Sequence, residues 1–412
     1  MSTFQYKPLD MPKLQIRLLR LHPTENRDSI DASIQHFSVF SLGSTPNYIA
    51  ASYMWGTCLP TENILVGGKI FKIRPSLKHF LVRLQERPRV LWDSSTSTQF
   101  YLWIDSICIN QEDAKEKSSQ VGLMKSIFTR AESVYIWLGE LSESSGQAIG
   151  SSLRQIDSFV DAEEQGAPLD GSVISDIGKL SNLAYWGRVW MIQEVVLASH
   201  FLVFWGELCF NGSWLEHLMA FAQPSNDVML LKRTQSQQAE NQLEFLIKTP
   251  MGKLLHLRDL REGQTNSYFR QLWLFMLLFR SSAATNPLDR VYALLGLTQD
   301  VLEIDYTKSL AEVYNNAPEI VDDHNKVNFE VSVGSSSLPG YQLIFRDTCP
   351  KTGEGISLHY KGEVDSEEVL SWILNGVRFD GRSLLLEMVL RGNQFQRGPK
   401  PPLVPLRLNE HH

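Results

Sequence analysis

The sequence predicts an α/β fold: a mostly parallel sheet flanked by helices, followed by a helical extension and a small β-rich C-terminal region. Three observations predict it. The stretch from Tyr101 to Glu140 (YLWIDSICINQEDAKEKSSQVGLMKSIFTRAESVYIWLGE) reads as strand, helix, strand, and a helix between two strands lets them run parallel. The runs Tyr48 to Trp55, Leu102 to Ile109, Ser133 to Leu138 and His200 to Trp205 are almost wholly apolar, as strands covered on both faces are. From Lys326 the chain changes to short alternating runs such as NFEVSV, YQLIF and SLLLEMVL, which suit a small β structure.

In chain order, Leu14 to Leu21 and Gln35 to Leu42 are two strands of an N-terminal piece, residues 1–47. Tyr48 to Trp55 opens the main domain, residues 48–207, and ends on Gly56. Ile64 to Ile73 is a hairpin, because Gly67-Gly68 supplies the positive φ angles of a tight turn. Ser76 to Gln85 is a helix with Leu77, Phe80, Leu81 and Leu84 on one side. In the central unit Asn110 is the expected helix cap, with Glu112 and Asp113 in the first turn. Val121, Met124, Ile127, Phe128 and Ala131 form that helix's buried face. Leu141 to Gly171 reads as a polar, mobile segment, and Ile174 to Ser199 as a helix in two pieces. The helical extension, residues 208–325, holds Ser213 to Phe221, Glu240 to Leu260, Leu272 to Arg280, and a helix capped by Asn286 with Pro287 first and Asp289 following. The β-rich region, residues 326–412, includes one helix near Ser366 to Leu374.

The chain has 412 residues, 43% hydrophobic and 21% charged, an ordinary globular composition. Its net charge of −7 and lack of a long basic run argue against nucleic acid as a partner. Cys58, Cys108, Cys209 and Cys349 form no C-x-x-C pair, so reduced, mostly buried thiols in a cytoplasmic protein are expected. The first residues lack the apolar core of a secretory signal, and the longest apolar run, Leu272 to Phe279, is too short to span a membrane. No H-E-x-x-H, P-loop, G-x-S-x-G or G-x-G-x-x-G motif occurs, and the ten histidines are scattered. No metal or cofactor is therefore expected.

One charged residue stands out. On a helix, Trp186, Trp190, Glu194 and Leu197 share a stripe, with Val189, Ile192 and Val196 on the other side. Gln193 and Glu194 are the only polar interior positions. A carboxylate among tryptophans is costly to desolvate without compensation, which marks Glu194 as a functional-site candidate. A structural ion pair with Arg188 or Arg290 is the alternative. Ligands of parallel α/β sheets bind beyond the carboxyl ends of the strands. Those ends are Ser52-Tyr53-Met54-Trp55-Gly56, Asp105-Ser106, Trp137-Leu138-Gly139-Glu140 and Trp205-Gly206-Glu207. Ser52, Tyr53 and Trp55 are thus substrate-binding candidates, and Asp105 is a ligand contact or, better, a buried hydrogen-bond acceptor. Asn110 and Gln111 suit helix capping more than ligand binding. Arg188 either binds a pyrophosphate or pairs with Glu207 or Asp176. His200 and Cys209 have nothing nearby to orient them for catalysis.

Three blocks, YIAASYMWG, YLWIDSICINQED…QVGLMKSIFTRAESVYIWLGE and YWGRVWMIQEVVLA, resemble the fungal heterokaryon-incompatibility (HET) domain in wording, order and spacing, roughly from Tyr48 to Glu207. IRLLRLHP and NPLDRVYALLGL with DYTKSLAEVY resemble flanking segments of long members. The Pro-Ser-Trp-type segment expected further on survives only as SSSLPGY, so the C-terminal region inherits no role. The resemblance implies a part in regulated cell death when incompatible hyphae fuse. It also implies distant kinship with Toll-type (TIR) domains, some of which hydrolyse NAD through the glutamate of a Trp-x-x-x-Glu motif. Trp190-Met191-Ile192-Gln193-Glu194 has that pattern.

By that resemblance the chain is a cell-death effector that cleaves NAD, or a related nucleotide, at its N-glycosidic bond. Glu194 would stabilise the ribose cation, and Trp190 would pack against the ribose or the nicotinamide ring. NAD would then be a substrate, and self-association would accompany activity. The alternatives are a non-enzymatic, self-associating module of fungal allorecognition and a degenerate, inactive member.

Overall fold

A computed structural model describes residues 2–26, 28–40, 45–86, 101–161, 171–221, 246 and 249–262, part of 272–313, and the strands at 341–348 and 355–362. It comprises two compact units, residues 1–187 with 191–262 and residues 188–190 with 263–412.

The first unit begins with β1 (Gln15–His22) and β2 (Asp31–Ser38), paired antiparallel from Gln15↔Ser38 to His22↔Asp31. β3 (Ile49–Tyr53) is buried throughout. β4 (Glu62–Val66) and β5 (Lys69–Ile73) form the expected hairpin, with Gly67 and Gly68 at φ 58° and 73°. After α1 (Pro75–Glu86), β6 (Tyr101–Trp103), α2 (Asp105–Cys108), α3 (Ala114–Arg130) and β7 (Ser133–Trp137) make up the central unit. Then come α4 (Glu143–Asp161), α5 (Gly171–Ser181), a 3-10 turn (Ala184–Gly187) and α6 (Val189–Val196). β8 (Phe201–Trp205), β9 (Leu208–Asn211), α7 (Ser213–Phe221) and α8 (Pro250–Glu262) complete the unit.

The strands form one nine-stranded sheet in the order β5-β4-β2-β1-β6-β3-β7-β8-β9. Within it β6, β3, β7 and β8 run parallel, so the fold is α/β. The chain leaves β3 on one side to form β6, then crosses to the other side for β7. The two crossovers cover opposite faces, as right-handed connections require. On one face α1 packs Leu77, Phe80, Leu81 and Leu84 with Tyr53, Tyr135, Trp137 and Phe204. On the other, α3 sets Phe128 edge-on to Trp103 at 5.5 Å, and Tyr48 donates to the Ile127 carbonyl at 2.6 Å. The carboxyl end of β3 is therefore a topological switch point, where such sheets open a crevice.

Several expectations are corrected. The apolar run after Trp103 does not continue as strand. It turns into α2, burying Ile107 and Cys108, because an apolar run alone does not separate buried strand from buried helix. The cap of α3 is Asp113 rather than Asn110, its carboxylate accepting from the N–H groups of Lys115 and Glu116 at 3.0 and 3.1 Å. Residues 143–161, expected as a mobile loop, are helix α4, with Ile149, Leu153 and Ile156 buried at helical spacing. β9 was not expected. It returns antiparallel to β8 after Gly206, at φ 54°. Cys108 is buried as expected, but Cys58 is exposed and Cys209 half-buried, all three as free thiols. Cys349 lies outside the described residues.

Two further features hold the N-terminus. Thr3 bridges Ile70 on β5, with Phe4 N donating to Ile70 O at 2.9 Å and Ile70 N to Ser2 O at 3.0 Å. Phe4 and Tyr6 stand edge-on to Phe71, and the Tyr6 hydroxyl donates to the Ile107 carbonyl at 2.9 Å. Next to it Arg17, fully buried, grips both oxygens of Glu116 at 2.5 and 2.9 Å and donates to the carbonyls of Cys108 and Lys7. This bidentate pair ties β1 to α3.

In the second unit, α9 (Asp289–Leu295) follows a turn in which the Asn286 side chain accepts the Leu288 N–H at 3.0 Å. The Tyr306 hydroxyl donates to Asp289 Oδ1 at 2.8 Å. β10 (Tyr341–Thr348) and β11 (Gly355–Gly362) pair antiparallel from end to end. The expected runs NFEVSV and SLLLEMVL and the helix near Ser366 lie outside the described residues, as does most of Leu272 to Arg280. Among the described residues no helix is long and apolar enough to cross a membrane.

Candidate functional site

Strand alternation decides which candidates can meet. Successive side chains of β3 point to opposite faces, so Ser52 and Tyr53 part company. Ser52 lies on the α3 and α6 side, with its hydroxyl donating to Glu194 Oε2. The Tyr185 hydroxyl lies 2.5 Å from Ser52 Oγ, and Met191 Sδ lies 3.2 Å from that same Oγ. The result is a buried chain Tyr185–Ser52–Glu194. Its carboxylate is 5% exposed and its serine 1%.

The helix that carries Glu194 is buried along its whole length except at the half-buried Trp190. Gln193 and Glu194 are its two polar interior residues, as expected. Trp190 precedes Glu194 by one helical turn. Trp186 is not on this helix: it lies in the preceding 3-10 turn, where its Nε1 donates to the Leu180 carbonyl at 2.9 Å. The stripe drawn through Trp186 therefore breaks at Gly187.

Arg258, from α8 and only 3% exposed, closes the carboxyl end of α6. Its guanidinium donates to the carbonyls of Val195 at 3.0 Å, Ala198, and Ser199 at 2.9 Å, and pairs with Glu216. It satisfies the Val195 carbonyl of the last helical turn and two carbonyls just beyond it, and places a cation at the negative end of the helix dipole.

The other predicted contacts gather on the opposite face. The Tyr53 hydroxyl is 2.7 Å from Ser106 Oγ, within the cluster under α1. Trp55 Nε1 donates to both carboxylate oxygens of Asp105, at 3.2 and 3.0 Å. Asp105 also accepts the Ser106 N–H at 2.7 Å at the start of α2, the acceptor role expected of it. Arg188 is half-buried, and its backbone bridges to Ala283. Of its suggested partners, Glu207 pairs with Arg83, and Asp176 bonds Lys179 and Ser152. Among the described residues no group of three or more His, Cys, Asp or Glu could hold a metal ion.

Tyr185, Met191 and Arg258 had not been expected. Tyr185 sits in a 3-10 turn, which has no periodic signature. Arg258 lies 64 positions from Glu194, where no local pattern reaches. The separation of Ser52 from Tyr53 was readable, because strand alternation alone places them apart.

Residues 48–194 match the family model described as Heterokaryon incompatibility protein (HET). The match runs from the residue before β3 to Glu194 itself, so its two ends enclose the Ser52–Glu194 pair. Among curated proteins the chain is similar to heterokaryon incompatibility protein 6, OR allele, of Neurospora crassa, with 26% identity across 77% of this chain and 53% of that protein. The chain thus spans about half the length of that curated relative. No solved structure matches it. Over residues 48–194, from β3 to Glu194, this chain is thus similar to the HET domain.

Proposed function

We propose that the chain acts in heterokaryon incompatibility, and that its HET domain cleaves NAD or a related nucleotide at the N-glycosidic bond with Glu194 as the working carboxylate. The observation that carries the second step is the fixed carboxylate beside the switch point: Glu194 is held by Ser52, one residue from the carboxyl end of β3. A fixed anion there would stabilise the positive charge that grows on the ribose as nicotinamide leaves. Nicotinamide is a good leaving group and needs no acid, so water completes the reaction. The Toll-type kinship and self-association belong to this proposal.

A second reading is favoured by the burial of the chain Tyr185–Ser52–Glu194. Here Glu194 braces α6 against β3, and the domain signals by self-association without chemistry. One assay separates the two. Concentrated wild-type protein should release nicotinamide from NAD, and Glu194→Gln, close in shape, should release none while keeping its circular dichroism spectrum. Absence of release from wild type at every protein concentration, with a lowered Tm for Glu194→Gln, would establish the brace.

A further inference from the structure

On the α1 side of the switch point the structure holds a group that the proposed chemistry has not used. Arg74, the residue before α1, lays its guanidinium over the Trp55 indole at 4.8 Å from the ring centroid. Its Nε donates to the Cys58 carbonyl at 3.0 Å. The indole is itself fixed by its bond to Asp105. The guanidinium is thus held by a ring on one side and by a carbonyl at its Nε. Its two terminal nitrogens have no partner among the described residues.

The other well-anchored arginines of this unit differ. Arg17 is matched by Glu116, Arg83 by Glu86 and Glu207, and Arg258 by Glu216. Arg74 alone of these four is oriented without a carboxylate to meet. The backbone beyond the Trp55 ring is also open: Gly56 has φ of 69°, and a Cβ on it would meet no atom within 4 Å. Gly56 through Pro60 are exposed.

We propose that Arg74 is an oxyanion-binding residue whose terminal nitrogens take two oxygens of a phosphate, in a nucleoside diphosphate moiety that approaches over Gly56. A planar two-donor edge suits that bidentate contact, as a lysine's single charge does not. The proposal deepens the reading above by giving the nucleotide's diphosphate a partner, and rests on that reading only for the identity of the nucleotide.

The test is calorimetric binding of ADP, inorganic pyrophosphate, adenosine and citrate to the full chain. ADP has no nicotinamide, so its binding does not depend on the hydrolysis. Wild type should bind ADP and pyrophosphate. Arg74→Ala should weaken both about tenfold or more, and Arg74→Lys should recover only part of the loss. ADP binding with no nicotinamide release from NAD would sink the hydrolase reading and leave the phosphate site standing. Undiminished ADP affinity in Arg74→Ala, or no binding of ADP or pyrophosphate to wild type, would overturn the site. Citrate bound as tightly as pyrophosphate would also overturn it, in favour of a carboxylate ligand.

Discussion

Ser52 donates to the Glu194 carboxylate, and both groups are nearly sealed from water. Ser52→Ala removes one buried, charge-assisted hydrogen bond and should therefore cost about 1–2 kcal/mol, read as a lower midpoint in urea. A valine there would add bulk as well and is a poorer test. Glu194 was legible as a residue because it is an acid on a helix otherwise apolar; Tyr185, which bonds Ser52 at the other end of the chain, was not, because an irregular turn hides which way its ring points. Cysteine behaviour makes a second test at this scale. Burial pushes the Cys108 thiol up to about 12, so thiolate is scarce at pH 8, and only the thiolate reacts. Iodoacetamide at pH 8 should label Cys58 in the folded protein and spare Cys108, as peptide mass spectrometry would show. Raising the pH to 9 should not change that.

At the scale of elements, Arg258 is the fastening of α6. Replacing it with methionine strips three carbonyls and Glu216 of their donor at once, and a loss of about 3 kcal/mol in denaturant stability is expected. α4 and α5 are joined by Asp176, whose carboxylate bonds Ser152 at 2.7 Å and Lys179 at 2.8 Å. Burial alone would raise its pKa, but the bonds to Lys179 and Ser152 outweigh that and hold it below the usual 3.8. Its stabilisation is complete above that unfolded value and disappears as pH falls through the lower folded one. Asp176→Asn should accordingly flatten the stability–pH curve below about pH 4, where wild type keeps falling. The parallel strands and α1 were legible because continuous apolar runs and a one-sided helix each have one good solution. α4 was not, because only Ile149, Leu153 and Ile156 mark its buried stripe amid small polar residues. The turn to α2 was hidden for the opposite reason: nothing polar interrupts the run before Asp105.

Across the first unit, the parallel strands β6, β3, β7 and β8 occupy the middle of a nine-stranded sheet, so their amides should be the last to exchange with deuterium. The overall class was written in the alternation of apolar runs and helices, but the strand order was not, because pairing partners lie far apart in sequence. The same holds for the first residues of the chain, which composition gave no reason to place. Ser2 to Phe4 lie along β5, the terminal strand of the sheet, and occupy backbone groups that would otherwise recruit a foreign strand. The leader thus serves as a selvage, keeping the fabric from being stitched to its neighbour. Protein lacking residues 1–8 should stay dispersed when dilute and turn turbid, with thioflavin-positive deposits, as it is concentrated.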